Sequence, residues 1–132
     1  MLREHGEAKL LALVVDDDVR IRMYVKTVLE SALFEVVEAR DGMEAIQLFR
    51  KLDQTIDLVV TDIRMPRMTG IQFAESLRSE SPHTPLIFIS AEPVNPDTFA
   101  GPDDFGFVEK PFAPATLIDE VRKVMPRRAV FK

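Results

Sequence analysis

The stretch LLALVVDDD, residues 10–18, decides the fold of this chain. Six apolar residues in a row suit a strand that is buried on both faces, as strands are in a parallel sheet. Three aspartates end the run, and Asp18 is placed to cap a following helix. That helix is expected because apolar residues from Ile21 to Ala32 recur at helical spacing. A strand that leads directly into a helix is the opening half of a βαβ unit.

The same alternation continues along the chain. Strands are predicted over 10–15, 34–39, 57–61, 85–89 and 105–109, and further helices over the apolar stripe 45–52, over 71–80 and over 114–125. This rhythm predicts an α/β fold: a flavodoxin-like, doubly wound, five-stranded parallel sheet in the order 2-1-3-4-5, with helices on both faces. Between strands 4 and 5, residues 92–104 hold several prolines. Because proline costs about 3 kcal/mol inside a helix, a fourth helix there is predicted to be short or irregular.

Length and composition exclude several classes of protein. The chain has 132 residues, no cysteine and a formal net charge of −5. The length suits one domain, and the absence of cysteine excludes disulfides and thiolate metal sites. The acidic balance argues against direct nucleic-acid binding. No apolar run is long enough for a membrane span, and residues 1–9 form a polar leader rather than a signal peptide. A cytoplasmic protein without membrane insertion is therefore predicted.

Polar side chains gather where the predicted strands end. Asp16 and Asp17 follow strand 1, Asp62 ends strand 3, Ser90 ends strand 4 and Lys110 follows strand 5. Open α/β sheets bind ligands outside these carboxyl ends, at the switch point between strands 1 and 3. Carboxylates that converge there repel each other unless a cation neutralises them. Mg²⁺ suits such a site because it prefers oxygen ligands.

These motifs resemble the signature of receiver domains of two-component response regulators. The matching segments are Val15-Asp16-Asp17-Asp18, Asp62-Ile63-Arg64-Met65-Pro66, Ser90-Ala91 and Lys110-Pro111-Phe112. The resemblance covers about residues 10–125, between the polar leader 1–9 and a basic tail at 126–132. It implies a phosphorylatable signalling domain rather than an enzyme. A phosphoryl group would pass from a phosphohistidine, on a histidine kinase or a phosphotransfer protein, to the chain, and acyl-phosphate hydrolysis would reset the switch.

The resemblance also assigns roles around the phosphoryl group. Asp62 is the implied phosphoacceptor, Lys110 pairs with a phosphoryl oxygen, and Ser90 donates its hydroxyl to the same group. Ser90 and Phe107 are the implied switch, in which Ser90 moves toward the phosphoryl group and Phe107 fills the space behind it. The Lys110–Pro111 bond resembles the family's cis peptide.

The implied metal is Mg²⁺, with Mn²⁺ as the alternative. By resemblance, Asp17 binds it directly and Asp16 largely through water. Asp62 and the backbone carbonyl of Arg64 complete the set of protein ligands. No organic cofactor is implied. Counting charges, three carboxylates, Lys110 and one divalent cation sum to zero, so a phosphoryl group would meet no net repulsion.

Three other functions share this fold or these carboxylates. A flavodoxin-like cofactor binder needs a loop rich in Gly, Ser or Thr after strand 1, where this chain has three aspartates. An aspartate-nucleophile Mg²⁺ phosphatase normally needs a second Asp two residues after the nucleophile, and Arg64 stands there. A receiver-like module that only docks, without phosphorylation, stays open, although the complete set of site residues weighs against it.

The partners beyond the phosphodonor are not encoded in any motif. The downstream protein target is unknown, and the unusual segment 92–104 puts the family's common dimer in doubt. No output domain is recognisable, so the chain is expected to be a stand-alone receiver or part of a larger regulator or hybrid kinase. Arg64 and Glu92 each stand two residues after a site residue. We expect them to pair across the mouth of the site and gate the attacking water.

Overall fold

The computed structural model describes residues 9–52, 55–92 and 105–125. The strands are β1 (Leu10–Val15), β2 (Phe34–Ala39), β3 (Leu58–Asp62), β4 (Leu86–Ser90) and β5 (Phe105–Glu109). The helices are α1 (Val19–Ser31), α2 (Gly42–Leu52), α3 (Gly70–Glu80) and α4 (Pro114–Val124). All strand pairs are parallel, in the order β2-β1-β3-β4-β5, which confirms the predicted fold. The short or irregular helix predicted within 92–104 lies outside the described residues from residue 93 onward.

The sheet separates two hydrophobic cores. Leu13 and Val15 of β1 face α2 and α3, whereas Ala12 and Val14 face α1 and α4. Alternate residues of a strand point to opposite faces, so a strand covered by helices on both sides must be apolar throughout. The six-residue apolar run therefore forms a central strand, whereas β2, at the edge, is only partly buried and carries Glu35 and Glu38.

The strand register brings the predicted site residues to one edge. Val15 lies beside Thr61 on β3, so Asp16 follows at the level of Asp62. Ser90 pairs with Glu109, the last residue of β5, which places the following lysine next to β4. Strands β3 and β4 each begin one residue later than predicted and end at Asp62 and Ser90, the residues expected to end them.

Side-chain caps start three of the helices, and at α2 the Asp41 carboxylate accepts a hydrogen bond from the Glu44 amide at 2.9 Å. Asp18 accepts a hydrogen bond from the Arg20 amide at 2.9 Å, which confirms the capping prediction for α1. Thr69 and Gln72 form a reciprocal capping box at the start of α3, with bonds of 3.1 and 3.0 Å. In the described part of the chain, none of the helices has the length and apolar character needed to cross a membrane.

Replacing Leu33 with glycine is expected to raise the free energy of unfolding by about 1 kcal/mol. Leu33 follows α1 with a φ of 70° and its side chain is 61% exposed. A left-handed conformation crowds the Cβ of any residue except glycine, while little buried contact would be lost. Urea unfolding monitored by circular dichroism measures the change.

Leu33→Ala is the matched control, because it removes the same exposed side chain and keeps the Cβ that causes the crowding. It is expected to leave stability close to that of the unmodified chain. The other non-glycine residue with positive φ in the described ranges is Arg67, at 68°. Its guanidinium is paired with Asp41, so Arg67→Gly loses a contact and should not stabilise. Equal stabilities of Leu33→Gly and Leu33→Ala would contradict the conformational explanation.

Candidate functional site

Three carboxylates converge at the carboxyl edge of the sheet. Asp16, Asp17 and Asp62 each bring one carboxylate oxygen within 4.8 Å of the others. The side chain of Lys110 reaches this cluster, and its Nζ lies 3.2 Å from Asp16 Oδ2 and 3.5 Å from Asp62 Oδ2. Asp16 and Asp62 are buried, whereas Asp17 is exposed. Three carboxylates facing one ammonium leave two negative charges unbalanced, as a site for a divalent cation requires.

Burial makes ionisation of two of these carboxylates costly. It raises the pKa of Asp62, against the opposing influence of Lys110 and of the Ile63 amide, which donates to Asp62 Oδ1 at 2.8 Å. Burial also raises the pKa of Asp16, partly offset by the Asp18 amide at 2.9 Å and reinforced by the charge of Asp62. A cation among these oxygens would favour their ionised forms.

An open cleft of about 340 Å³ lies over Asp62. Its lining consists of Asp62, Arg64, Ser90, Ala91, Glu92 and Lys110. Ser90 is buried, and its hydroxyl accepts a hydrogen bond from the Glu92 amide at 3.1 Å. The guanidinium of Arg64 pairs with the carboxylate of Glu92, so the expected pair is present at the mouth of the cleft. A small anionic group placed here would contact Asp62, Ser90 and Lys110 together.

The backbone around Lys110 joins β4 to β5. Its amide donates to the Ser90 carbonyl at 2.8 Å, and the Lys110–Pro111 peptide is cis, as the resemblance implies. Phe107 lies opposite Phe88 of β4 and packs, partly buried, against the core on the α2 and α3 face. The amide of Phe107 donates to Glu120 of α4 at 3.1 Å, which fixes the backbone of this edge strand.

The loops around the site are held by residues that sequence reasoning missed. Arg22 of α1 donates to the Asp16 carbonyl at 2.7 Å and to Glu38 of β2 at 3.0 Å. In the loop after β3, the guanidinium of Arg67 pairs with Asp41, in front of α2. Burial raises the pKa of Asp41, but the hydrogen bonds it accepts outweigh this and the pKa is lowered overall. No spacing in the sequence marks these pairs, because each joins two different segments of the fold.

A family model described as the response regulator receiver domain matches residues 12–122. The chain belongs to this family. The transcriptional regulatory protein SrrA of Staphylococcus aureus is 34% identical over 119 residues, which cover 87% of this chain and 47% of the relative. The receiver domain thus spans about half the length of the curated relatives it matches.

Solved structures share the receiver fold. The chemotaxis protein CheY4 of Vibrio cholerae superposes with a TM-score of 0.79 at 31% identity, covering 89% of this chain and 100% of that one. A response regulator receiver protein from Sinorhizobium medicae gives 0.81 at 30% identity, covering 90% and 96%. A CheX–CheY–BeF3–Mg complex from Borrelia burgdorferi gives 0.83 at 25% identity, covering 93% and 94%. The predicted family and fold are therefore confirmed.

Proposed function

We propose that this receiver domain is a phosphoacceptor switch that takes a phosphoryl group from a phosphohistidine onto Asp62. The observation that supports it best is the convergence of Asp16, Asp17, Asp62 and Lys110 below an open cleft. The donor is a histidine kinase or histidine phosphotransfer protein, and the compartment is the cytoplasm. The switching unit spans residues 10–125, with 1–9 as leader and 126–132 as tail.

The donor set of the site fits Mg²⁺, with Mn²⁺ as the alternative, because it consists of oxygen atoms alone. Asp17 would bind the ion directly, Asp16 largely through water, and Asp62 and the Arg64 backbone carbonyl would complete the protein ligands. When bound, the ion supplies positive charge that stabilises the phosphoryl oxygens during transfer. The two unbalanced negative charges of the cluster match one divalent cation.

The transfer itself uses the residues of the chain. A carboxylate oxygen of Asp62 forms a bond to phosphorus while the phosphorus–nitrogen bond of the donor breaks, and its electron pair returns to the imidazole nitrogen. Lys110, already beside Asp62, then pairs with a phosphoryl oxygen. The Ser90 hydroxyl donates to the same group, and Phe107 moves into the space behind it. Attack of water on phosphorus releases inorganic phosphate and restores the Asp62 carboxylate.

The proposal is tested by incubating the full chain with acetyl phosphate, with and without Mg²⁺. The expected product carries one phosphoryl group, and it should not form when a chelator is present before acetyl phosphate is added. Peptide mapping by mass spectrometry should place the group on Asp62. An intact, folded chain that takes up no phosphoryl group, or carries it elsewhere, would overturn the proposal. Partner binding that persists without uptake would instead indicate a docking module.

The pair between Arg64 and Glu92 is expected to lengthen the life of the acyl phosphate. Both side chains are largely exposed, at 77% and 59%, so the pair itself contributes little stability. It lies at the mouth of the cleft through which water must approach Asp62. Arg64→Ala and Glu92→Ala are each expected to shorten the half-life about two- to fivefold, the equivalent of one weak ion pair. Loss of radiolabelled phosphate measures it.

Arg122→Ala is the matched control for this pair. Arg122 and Asp119 also form an exposed ion pair, at 3.7 Å, but on α4 and outside the cleft. Its loss should leave the half-life unchanged. If Arg64→Ala and Glu92→Ala behave like Arg122→Ala, the pair does not gate water.

A further inference from the structure

The single tyrosine of the chain ties α1 to the loop that carries Lys110. The Tyr24 hydroxyl donates to the Phe112 backbone carbonyl at 2.8 Å. The two rings also pack together, with centroids 5.4 Å apart and planes tilted by 46°. Both side chains lie against the core on the α1 and α4 face. The contact joins positions 88 residues apart, so it is a tertiary link between two elements.

The loop between β5 and α4 has few other means of fixing its backbone. Pro111 and Pro114 have no amide hydrogen to donate. Ala113 precedes α4 as its N-cap and offers no side-chain cap. Before the loop, the Lys110 amide is held by the Ser90 carbonyl at 2.8 Å. At the end of the loop, the Ala113 carbonyl accepts from the Thr116 and Leu117 amides of α4 at 3.0 and 3.4 Å. Between these points, the Tyr24 hydroxyl holds the Phe112 carbonyl.

We propose that Tyr24 is a positioning residue for Lys110, and that its hydroxyl keeps Lys110 Nζ beside Asp16 and Asp62. A lysine side chain rotates about four bonds. The position of its ammonium group is therefore reproducible only if the backbone of the lysine itself is held in place. Lys110 lies two residues before Phe112 and is separated from it by Pro111 alone. A displacement of the Phe112 carbonyl therefore reaches the backbone of Lys110 through a single residue. This role rests on the proposed phosphoacceptor function.

Tyr24→Phe isolates the hydroxyl, because the ring and its packing on Phe112 remain. Phosphoryl uptake from acetyl phosphate is expected to slow about fivefold, the equivalent of one ordinary hydrogen bond. Thr27→Val is the matched control, since it removes a hydroxyl from the same helix. Among the described residues, that hydroxyl bonds only to the Met23 carbonyl, at 2.9 Å. That variant should take up phosphate at the unmodified rate.

A double-mutant cycle separates positioning from general destabilisation. If Tyr24 acts through Lys110, Tyr24→Phe should have no further effect in a Lys110→Gln background, measured at high donor concentration. Equal fold-losses in both backgrounds, or no loss in the single variant, would overturn the proposal. Asp62→Asn serves as the blank for background labelling.

A second measurement needs no phosphorylation. The Lys110 side-chain Cε and Hε resonances should move toward those of exposed lysines in Tyr24→Phe and stay unchanged in Thr27→Val. Lys110 resonances that do not move in Tyr24→Phe would overturn the positioning role. The resonance measurement also decides the question if phosphoryl uptake by Lys110→Gln is too slow to measure. If the unmodified chain takes up no phosphoryl group, the phosphoacceptor function is wrong. The Lys110 resonances would still test whether Tyr24 positions the Lys110 side chain.

Discussion

Gly70→Ala is expected to lower the free energy of unfolding by about 3 kcal/mol. A Cβ on Gly70 would overlap the Asp62 carbonyl oxygen and lie 2.9 Å from both the Asp62 carbonyl carbon and Ile63 Cα. These are backbone atoms at the end of a central strand, where Asp62 pairs with Ile89, so they cannot turn aside as a side chain can. Urea unfolding followed by circular dichroism gives the change.

Gly42→Ala is the matched control for Gly70→Ala. A Cβ on Gly42 would also be crowded, at 2.7–2.9 Å, but by side-chain atoms of Met68. Methionine is flexible and can move, and alanine favours the helix that begins at Gly42. We therefore expect a loss below about 1 kcal/mol. If Gly70→Ala is no less stable than Gly42→Ala, the close approach to the Asp62 backbone is not the cause of the predicted loss of stability.

The close contact at Gly70 also shapes the candidate site. The Gly70 amide donates to the Ile63 carbonyl at 2.8 Å, which closes the loop after β3 and brings the start of α3 against the backbone of Asp62. Displacing that backbone would shift the Asp62 carboxylate away from Lys110. Phosphoryl uptake by Gly70→Ala should therefore fall as well, in the fraction that remains folded.

The fold was predictable because its signals are local and repeated. A strand buried on both faces must be apolar throughout, so the run 10–15 identified a central strand without any knowledge of its neighbours. Parallel strands share one carboxyl edge, so Asp16, Asp62 and Lys110 were expected to converge once the order was inferred. The structure brings these three together.

The supporting contacts were not predictable from the sequence. The Tyr24 hydroxyl meets a backbone carbonyl, and any residue type at position 112 would supply one. The absence of a side chain at Gly70 has meaning only once the fold has brought the Asp62 backbone beside it. Leu33 has no preference for the left-handed conformation, and it adopts it because α1 must end there and Phe34 must enter the core. Such features depend on how helices, strands and loops pack against each other. The periodicity of apolar residues in the sequence carries no information about that packing.

Asp62→Asn is expected to abolish phosphoryl uptake and, in metal-free buffer, to stabilise the fold by about 1 kcal/mol. Uptake is lost because an amide cannot act as the carboxylate nucleophile. Stability rises because burial raises the pKa of Asp62, so its ionised form is costly in the folded chain. The substitution also removes a negative charge that raises the pKa of Asp16. Lys110 keeps Asp16 as a partner, at 3.2 Å.

The stabilisation has a definite pH dependence. In the unfolded chain Asp62 titrates at about pH 3.9. In the folded chain its pKa is higher, so between the two values the folded chain binds more protons and the stability of the unmodified protein falls as pH rises. Asparagine does not titrate. The gain from Asp62→Asn should therefore be complete above the raised pKa and vanish as the pH falls to about 4.

The control for this prediction is Asp119→Asn, which makes the same change at an exposed carboxylate on α4, 66% accessible and paired only at the surface with Arg122. Its stability should differ little from that of the unmodified chain at any pH.

Adding Mg²⁺ should make the unmodified chain more stable than Asp62→Asn, because a ligand stabilises whichever folded form binds it more tightly. Stabilisation of Asp62→Asn that is independent of both pH and Mg²⁺ would contradict the electrostatic origin. Loss of uptake without stabilisation would show that Lys110 offsets the burial of Asp62 fully.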